Sequence, residues 1–349
     1  MHEWRIKYWP LLLNGILSFT LVFYSEDIIA QDTAFSKRSS DSGWIEKFDD
    51  QINIKLALIN TADALALQAD SFRQVLQPNP SELFRLYVNY SFISFYINYV
   101  PHFLPGNNDN DEKGRTSGIG LGTSLNFRNW FTDLYFSHTK GYYLENTKDY
   151  RPDWQPGDPY FQVPDLHVIR FEGQTGYNTN ARHSLPAMVS QTERQMKSAG
   201  AFIPKILYKY DIIDNRTPGT YSTQKSQNLQ FLLGAGYQHT FVIKRSLYVL
   251  GGFSPSFGYI FYKVTTRMGT ERFTFNNRGP IYQWDAKFGF GYNGHRLFAG
   301  TYLSAYSARY AQGLSTLVDQ DASVFFQLFA GLRFSAPRFI RKKMDKVFH

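Results

Sequence analysis

Side chains able to do chemistry are few and dispersed in this sequence. Cysteine is absent, which removes a thiolate nucleophile, a thiolate metal site and any disulfide framework. His138, His167, His183, His239 and His295 are scattered, with no two at the helical i, i+4 spacing. A hydrolytic centre needs Ser, His and a carboxylate or amide meeting in space. Nothing in the spacing points to one, so neither a catalytic residue nor an enzyme is expected. Gly118, Gly120 and Gly122 loosely match nucleotide-binding glycines, and Gly289, Gly291 and Gly294 fit G-x-G-x-x-G literally. Neither set opens a helix, and glycine alternating with bulky residues suits strand packing, so no cofactor is expected. The run Asn107–Glu112 (NNDNDE), with Asp109 and Asp111, offers oxygens for a divalent cation. It lacks the Asp-x-Asp-x-Asp-Gly register and the downstream Glu, so a solvated loop is the plainer reading.

Six charges draw attention for where they fall rather than for what they are. Lys55, Arg85, Asp133, Asp285, Lys287 and Arg333 lie inside runs that alternate apolar and polar residues, always in the polar phase. Residues 282–292 show the pattern most cleanly: every even position is apolar or aromatic, and every odd one is polar, charged or Gly. It returns at 52–58, 119–127, 229–241, 247–261 and 324–334, the last with Phe325 and Phe329 as exceptions. Successive side chains of a strand point to opposite faces, so a period of two means two-faced β structure.

The runs predict twelve strands, at 50–60, 64–75, 83–101, 117–127, 130–140, 166–177, 184–211, 226–242, 245–265, 281–292, 295–306 and 323–334. Many exceed the soluble strand of about 5–6 residues and approach or pass the roughly 9–11 of a membrane strand. Short turns are expected at 76–82, 128–129, 178–183, 243–244 and 293–294, the last being Asn293-Gly294, a strong hairpin signal. Long polar loops are expected at 102–116, 141–165, 212–225, 266–280 and 307–322, with 61–63 a short exception on that side. Starting in the periplasm, the short turns fall on the periplasmic side and the long loops outside. That parity is the plan of an antiparallel up-and-down transmembrane β-barrel of about twelve strands, in a range of about ten to fourteen. The apolar phase switches at 92/93, which fits either a bulge or a tight hairpin.

The whole composition agrees. The 349 residues include 31 Phe, 24 Tyr and 6 Trp, and only 19% are charged, which excludes general disorder. The formal net charge is +8. Arg5 and Lys7 precede a short apolar run, Leu11–Tyr24, and Ile29-Ala30-Gln31 offers a small residue for cleavage. This describes a signal peptide over 1–30; the rival, a membrane anchor, needs a longer run without Asn14. Residues 31–49 then form a periplasmic N-terminal segment, 50–335 the barrel, and 336–349 a basic periplasmic tail. The tail carries Arg338, Arg341, Lys342, Lys343 and Lys346 and is either solvated or in contact with anionic phospholipid heads.

Several stretches carry a family likeness: Gln77–Pro80 (QPNP), Leu104–Asp111 (LPGNNDND), Lys140–Thr147 (KGYYLENT), Gln191–Phe202 (QTERQMKSAGAF), Gly291–Gly294 (GYNG) and Arg333–Pro337 (RFSAP). With the strands between them, the sequence over about 45–337 resembles the Bacteroidota outer-membrane barrels grouped as domain-of-unknown-function family 4421. The most specific element is Gln195-Met-Lys197-Ser198-Ala199-Gly200. Ala201 stands where such proteins often carry Ser, and His183 where an aromatic often precedes Ser184. The resemblance implies a barrel in the bacterial outer membrane, among its lipids and lipopolysaccharide, inserted by barrel-assembly machinery. It brings no catalytic residue, and an exported barrel leaves no role for nucleic acid. Passive, porin-like passage of small solutes is the leading functional expectation. A closed barrel serving binding or envelope structure comes second, and an enzyme third. The lumen charges serve either reading, because about eight strands leave a filled interior and about sixteen an aqueous channel.

Overall fold

The computed structural model describes residues 43–341, apart from 62–64, 70–71, 81, 102, 105, 219–221, 311–317 and 320. The expected signal peptide and most of the basic tail lie outside the described residues. The strands are β1 (Ile45–Lys47), β2 (Gln51–Thr61), β3 (Leu65–Ala69), β4 (Phe72–Gln77), β5 (Glu82–Tyr90), β6 (Ile93–Tyr99), β7 (Ser117–Phe127), β8 (Trp130–Leu144) and β9 (Phe161–Tyr177). They continue as β10 (Glu193–Gln195), β11 (Ala199–Asn215), β12 (Ser222–Ile243), β13 (Leu247–Met268), β14 (Glu271–Asn293), β15 (Leu297–Tyr310), β16 (Val318–Asp319) and β17 (Asp321–Ser335).

Twelve of these make a closed antiparallel wall in the order β2, β5, β6, β7, β8, β9, β11, β12, β13, β14, β15, β17. Pairing of β17 with β2 and of β8 with β9 seals it. No described helix is long and apolar enough to cross a membrane.

Alternation decides which residues face out. Ile54, Leu56, Phe136, Phe231, Phe257, Trp284 and Phe288 are exposed on the outer surface. Aromatics gather at its two edges. Trp130 and Tyr177 meet edge to face, with ring centroids 5.1 Å apart, at the turn end, and Tyr99 and Tyr282 stand exposed toward the other. Asn53, Lys55, Ser124, Lys205, Ser254 and Arg333 are buried on the inner side of the same strands.

The number of wall strands equals the expectation, but two members differ. Segment 64–75 is not in the wall: it forms the β3–β4 hairpin, which pairs with β8 through Leu76 and Leu144 and with β16 through Gln68 and Val318. The place it leaves is filled because 83–101 is two strands, β5 and β6, joined at Ser91-Phe92 with Ser91 at φ 50°. The phase switch was a tight hairpin and not a bulge. Residues 76–82 therefore belong to the long-loop end, and in place of the short 61–63 exception the β3–β4 hairpin stands between β2 and β5.

Other boundaries move as well: β8 runs to Leu144 and β9 starts at Phe161 inside the loop expected at 141–165, and β11 runs to Asn215 and β12 starts at Ser222 inside that expected at 212–225. Residues 266–280 are strand rather than loop, since β13 and β14 run 22 and 23 residues and turn only at 269–270, where Gly269 takes φ 61°. The β14–β15 loop is 294–296, because Asn293 stays in the strand and its side chain is engaged inside the barrel. Finally, 184–211 is not one strand, and the connection after β9 is not a short turn at 178–183. It spans 178–198 and folds back into the barrel.

Candidate functional site

The returning segment is built by local rules. Pro186 presets a helical φ, and Met188 and Val189 donate their amides to Leu185 O at 3.0 and 3.2 Å. Ser184 Oγ accepts from Ala187 N at 2.9 Å, as a helix N-cap does. One helical turn leaves its last carbonyls without partners, and the wall supplies donors. Lys55 Nζ donates to Val189 O at 2.6 Å, Asn53 Nδ2 to Ser190 O at 2.9 Å, and Arg333 Nη2 to Gln191 O at 2.6 Å. Gln191 sits at φ 51°, a conformation that non-glycine residues rarely hold. Arg333 also donates to Asn293 Oδ1 at 2.6 Å and to Gly294 O, and lies 4.0 Å over the Phe48 ring. Asn293 Nδ2 in turn reaches Ala187 O and Glu193 O.

Apolar packing completes this floor. Ala187 and Met188 pack on Tyr248 and Leu250, and Leu185 packs on Phe131, Ala201 and Ile203. Strand β10 pairs with β1, which ties the N-terminal segment to the floor. Arg194 joins the two strands, with Nε 2.7 Å from Glu46 Oε2 and Nη2 3.0 Å from His295 Nε2.

Outside the wall strands, burial sets the protonation of two floor groups. It pushes the His183 ring down to about 4, with repulsion from His239 adding to it. It pushes the Glu193 carboxyl up, against hydrogen bonding from Ser184 and the charge of Lys47.

The six charged candidates all face inward, in separate groups. Lys55 and Arg333 belong to the floor. Arg85 lies among rings, 4.4 Å from the Tyr96 centroid, 5.9 Å from Tyr87 and 6.0 Å from Tyr135, with Nε donating to Asn98 Oδ1 at 2.6 Å. Gly122 makes that cluster possible: it stands between Tyr96 and Tyr135 in the register, and a Cβ there would strike the Tyr96 ring. Gly120, Gly289, Gly291 and Gly294 likewise stand against Tyr135, Tyr302, Tyr248 and Tyr292, so the glycines with a nucleotide-like spacing are space for tyrosines, except Gly118, which faces the His138 carbonyl. Asp133 accepts from Ser124 Oγ and from Gln174 Nε2, the latter at 2.7 Å. Asp285 and Lys287 approach to 3.9 Å, but the closer partner of Asp285 is Lys205 at 2.7 Å. Lys205 is on β11 and Asp285 on β14, so this ion pair crosses part of the lumen. Inward Gly234, Gly252, Ser254 and Ser256 of the strands between leave room for it.

Sequence reasoning missed Lys205, and by reading 184–211 as one strand it missed the floor as a fold, although the family-like stretch Gln191–Phe202 reaches into it. Lys205 sits in an alternating run like the other six, so its phase could have found it. The floor has no comparable signal, because its bonds to Asn53 and Arg333 span 137 and 142 residues.

The remaining candidates lie elsewhere. Asp109 is bridged by Lys113 Nζ at 2.6 Å within a one-turn helix, Asn110–Lys113. Among the described residues no group of three or more His, Asp or Glu is arranged to hold a metal. Two histidines that look scattered in sequence meet across strands: His138 Nε2 and His167 Nδ1 are 3.1 Å apart on the outer face, with Asp165 on the far nitrogen of His167.

The profile described as "Domain of unknown function (DUF4421)" matches residues 39–334. The chain belongs to this family. No curated protein matches it in sequence. Among solved structures it is similar to the outer membrane protease OmpT from Escherichia coli, with 8% identity over 83% of this chain and 98% of that one and a TM-score of 0.36. It is also similar to the β domain of the Bordetella autotransporter BrkA (10%; 82% and 100%; 0.38) and to the translocator domain of NalP from Neisseria meningitidis (6%; 92% and 97%; 0.29). No residue role passes from any of them to this chain.

The segments that carry the DUF4421 likeness fall at the two ends of the barrel. At the turn end, Gln195 makes the floor loop a closed unit: its Nε2 donates to Arg182 O at 2.7 Å and Lys197 O at 2.9 Å, and its Oε1 accepts from Ser184 N at 2.8 Å. Ser198 Oγ accepts from Val242 N at 2.9 Å, Lys197 lies 5.3 Å over Trp44, and a side chain at Gly200 would strike Tyr237. At the loop end, Asn79 Nδ2 donates to Gly114 O and Asn110 Oδ1, and buried Asn107 bonds Glu82 O and Pro101 O. The motifs thus fasten a floor and a crown.

Proposed function

We propose that this DUF4421 chain is an outer-membrane β-barrel closed at its periplasmic end by its own segment 184–196. It would serve as a non-enzymatic binding or envelope-structural protein in contact with outer-membrane lipids and lipopolysaccharide. The apolar outer belt with aromatic edges supports the membrane setting. The single observation that carries closure is the grip of Asn53, Lys55 and Arg333 on three successive carbonyls of the returning segment. A cation satisfying a buried carbonyl is hard to withdraw, because both partners would be left without a bond.

Passive passage of small solutes is the second reading, and the bias of the inner wall toward basic residues favours it. It requires the floor to leave, and Arg85 with its tyrosines and the Lys205–Asp285 pair to part. Planar bilayers separate the two readings. The closed barrel gives no steady conductance in the wild type. A large, steady conductance would replace it with the pore, and a shift of reversal potential toward cations in Lys287→Glu would identify an anion path.

A further inference from the structure

Barrel interiors are polar as a rule, yet the inner wall near the long loops is not. Leu144 of β8, Leu166 and Val168 of β9 and Tyr142 form one buried apolar cluster with Leu65 and Leu76 of the folded-in β3–β4 hairpin, and Ile213 packs against it. Ile260, Tyr262, Ile281 and Tyr310 form a second cluster with Leu232, and Val264 packs on that one.

Between them lies a cavity of about 540 Å³, within the range of about 300–1,000 Å³ typical of small-molecule sites. Leu76, Leu144, Leu166, Ile213, Val264 and Tyr310 give it apolar walls, and Gln162, Asn215 and Gln224 bring amide groups, while the Asn228 amide is already held by Asp211 Oδ2 and Ser226 Oγ. Among the described residues no Lys, Arg, His, Asp or Glu lines it. Apolar surface facing a cup that water would otherwise fill calls for an explanation, and a ligand supplies one.

We propose that this chamber binds an uncharged, mainly apolar small molecule that enters from the loop end and is oriented by the side-chain amides. The walls remove its apolar body from water. The absence of a lining cation disfavours an acidic head, which separates this ligand class from anionic lipids. The proposal rests on the binding reading above, but not on the closed floor, because the chamber lies at the opposite end of the barrel.

The test uses the full mature chain in amphipol and N-phenyl-1-naphthylamine, an uncharged fluorescent probe. Its anionic relative, 1-anilinonaphthalene-8-sulfonate, serves for comparison. Wild-type protein should bind the neutral probe saturably, one per chain, and the sulfonate at least tenfold more weakly. Ile213→Phe with Val264→Phe fills the chamber and should weaken the neutral probe at least tenfold, while Phe288→Leu on the outer face leaves it unchanged. Gel migration before boiling confirms folding, and Val264→Phe alone replaces the double variant if that one does not fold. Equal binding in the filled variant, uptake no different from protein-free amphipol, or equal affinity for the sulfonate would each overturn the proposal. Conductance plays no part in this readout, so the binding site and the closed floor fail separately.

Discussion

Arg333 is the residue on which the floor depends most, since its guanidinium serves Gln191 O, Asn293 Oδ1 and Gly294 O together. Removing it leaves buried acceptors unpaired, at about 1–3 kcal/mol for each group left without a bond. Arg333→Ala is expected to destabilise the protein by about 2–4 kcal/mol in detergent denaturation and to raise hydrogen exchange at 184–196. Arg333→Lys should recover only part, because an ammonium lacks the planar fork. An unchanged denaturation midpoint and unchanged exchange in Arg333→Ala would rule out the grip.

The same segment should respond to acid. Burial holds His183 neutral in the folded floor, with its pKa lowered to about 4, while an unfolded His titrates at about 6.5. The His183 contribution is therefore fully present above about 6.5 and is lost as pH falls toward 4. Glu193, raised by burial, acts in the opposite sense: its contribution is present at low pH and lost as pH rises. Exchange at 184–196, corrected for intrinsic rates, should quicken between pH 6.5 and 4.5, and His183→Gln should flatten that response. A wild-type profile with no acid limb would refute the assignment to His183.

At the scale of one strand, β14 shows how the two faces differ. Phe288 is 53% exposed on the outer side, and Phe288→Arg should impair insertion by about 2–4 kcal/mol at mid-membrane. Gly289 faces inward, where a Cβ would meet Tyr302 Cδ2 at 3.2 Å, a contact the ring can relieve by a small shift. Gly289→Ser should be the milder change in refolding yield into vesicles. Equal damage from the two would mean the facing of β14 is wrong. The two faces follow from side chains alone, but the hairpin at Ser91-Phe92 does not. There the alternation only changes phase, and a bulge and a tight turn change it alike.

The whole molecule has three tiers inside one wall: the gripped floor, a middle of charge and aromatic rings, and an apolar chamber. A wall sealed by β17 on β2 has no free edge, and its backbone ladder runs from strand to strand around the whole circuit. Such a barrel should resist detergent until heated. Unboiled protein is expected to migrate differently from boiled protein on gels, with a β-rich circular dichroism spectrum. A helical spectrum, or protein released in soluble form without detergent, would contradict the fold.

The alternation in 282–292 by itself determined which side of β14 meets the outside, because a strand's period is set by its own backbone. The inward phase of Lys55, Arg85, Asp133, Asp285, Lys287 and Arg333 was legible for the same reason. So was the number of wall strands, although β3–β4 and the β5–β6 hairpin exchanged places within it. Tertiary structure alone decided what those charges do. Arg333 and Lys55 bind carbonyls of a segment more than a hundred residues away, and Asp285 finds Lys205 across the two strands between them. The pairing of His138 with His167 is likewise set by register and not by spacing. The floor stayed hidden because its stability comes from the wall that surrounds it. Its own residues form one helical turn and one short strand, too little to stand alone in water.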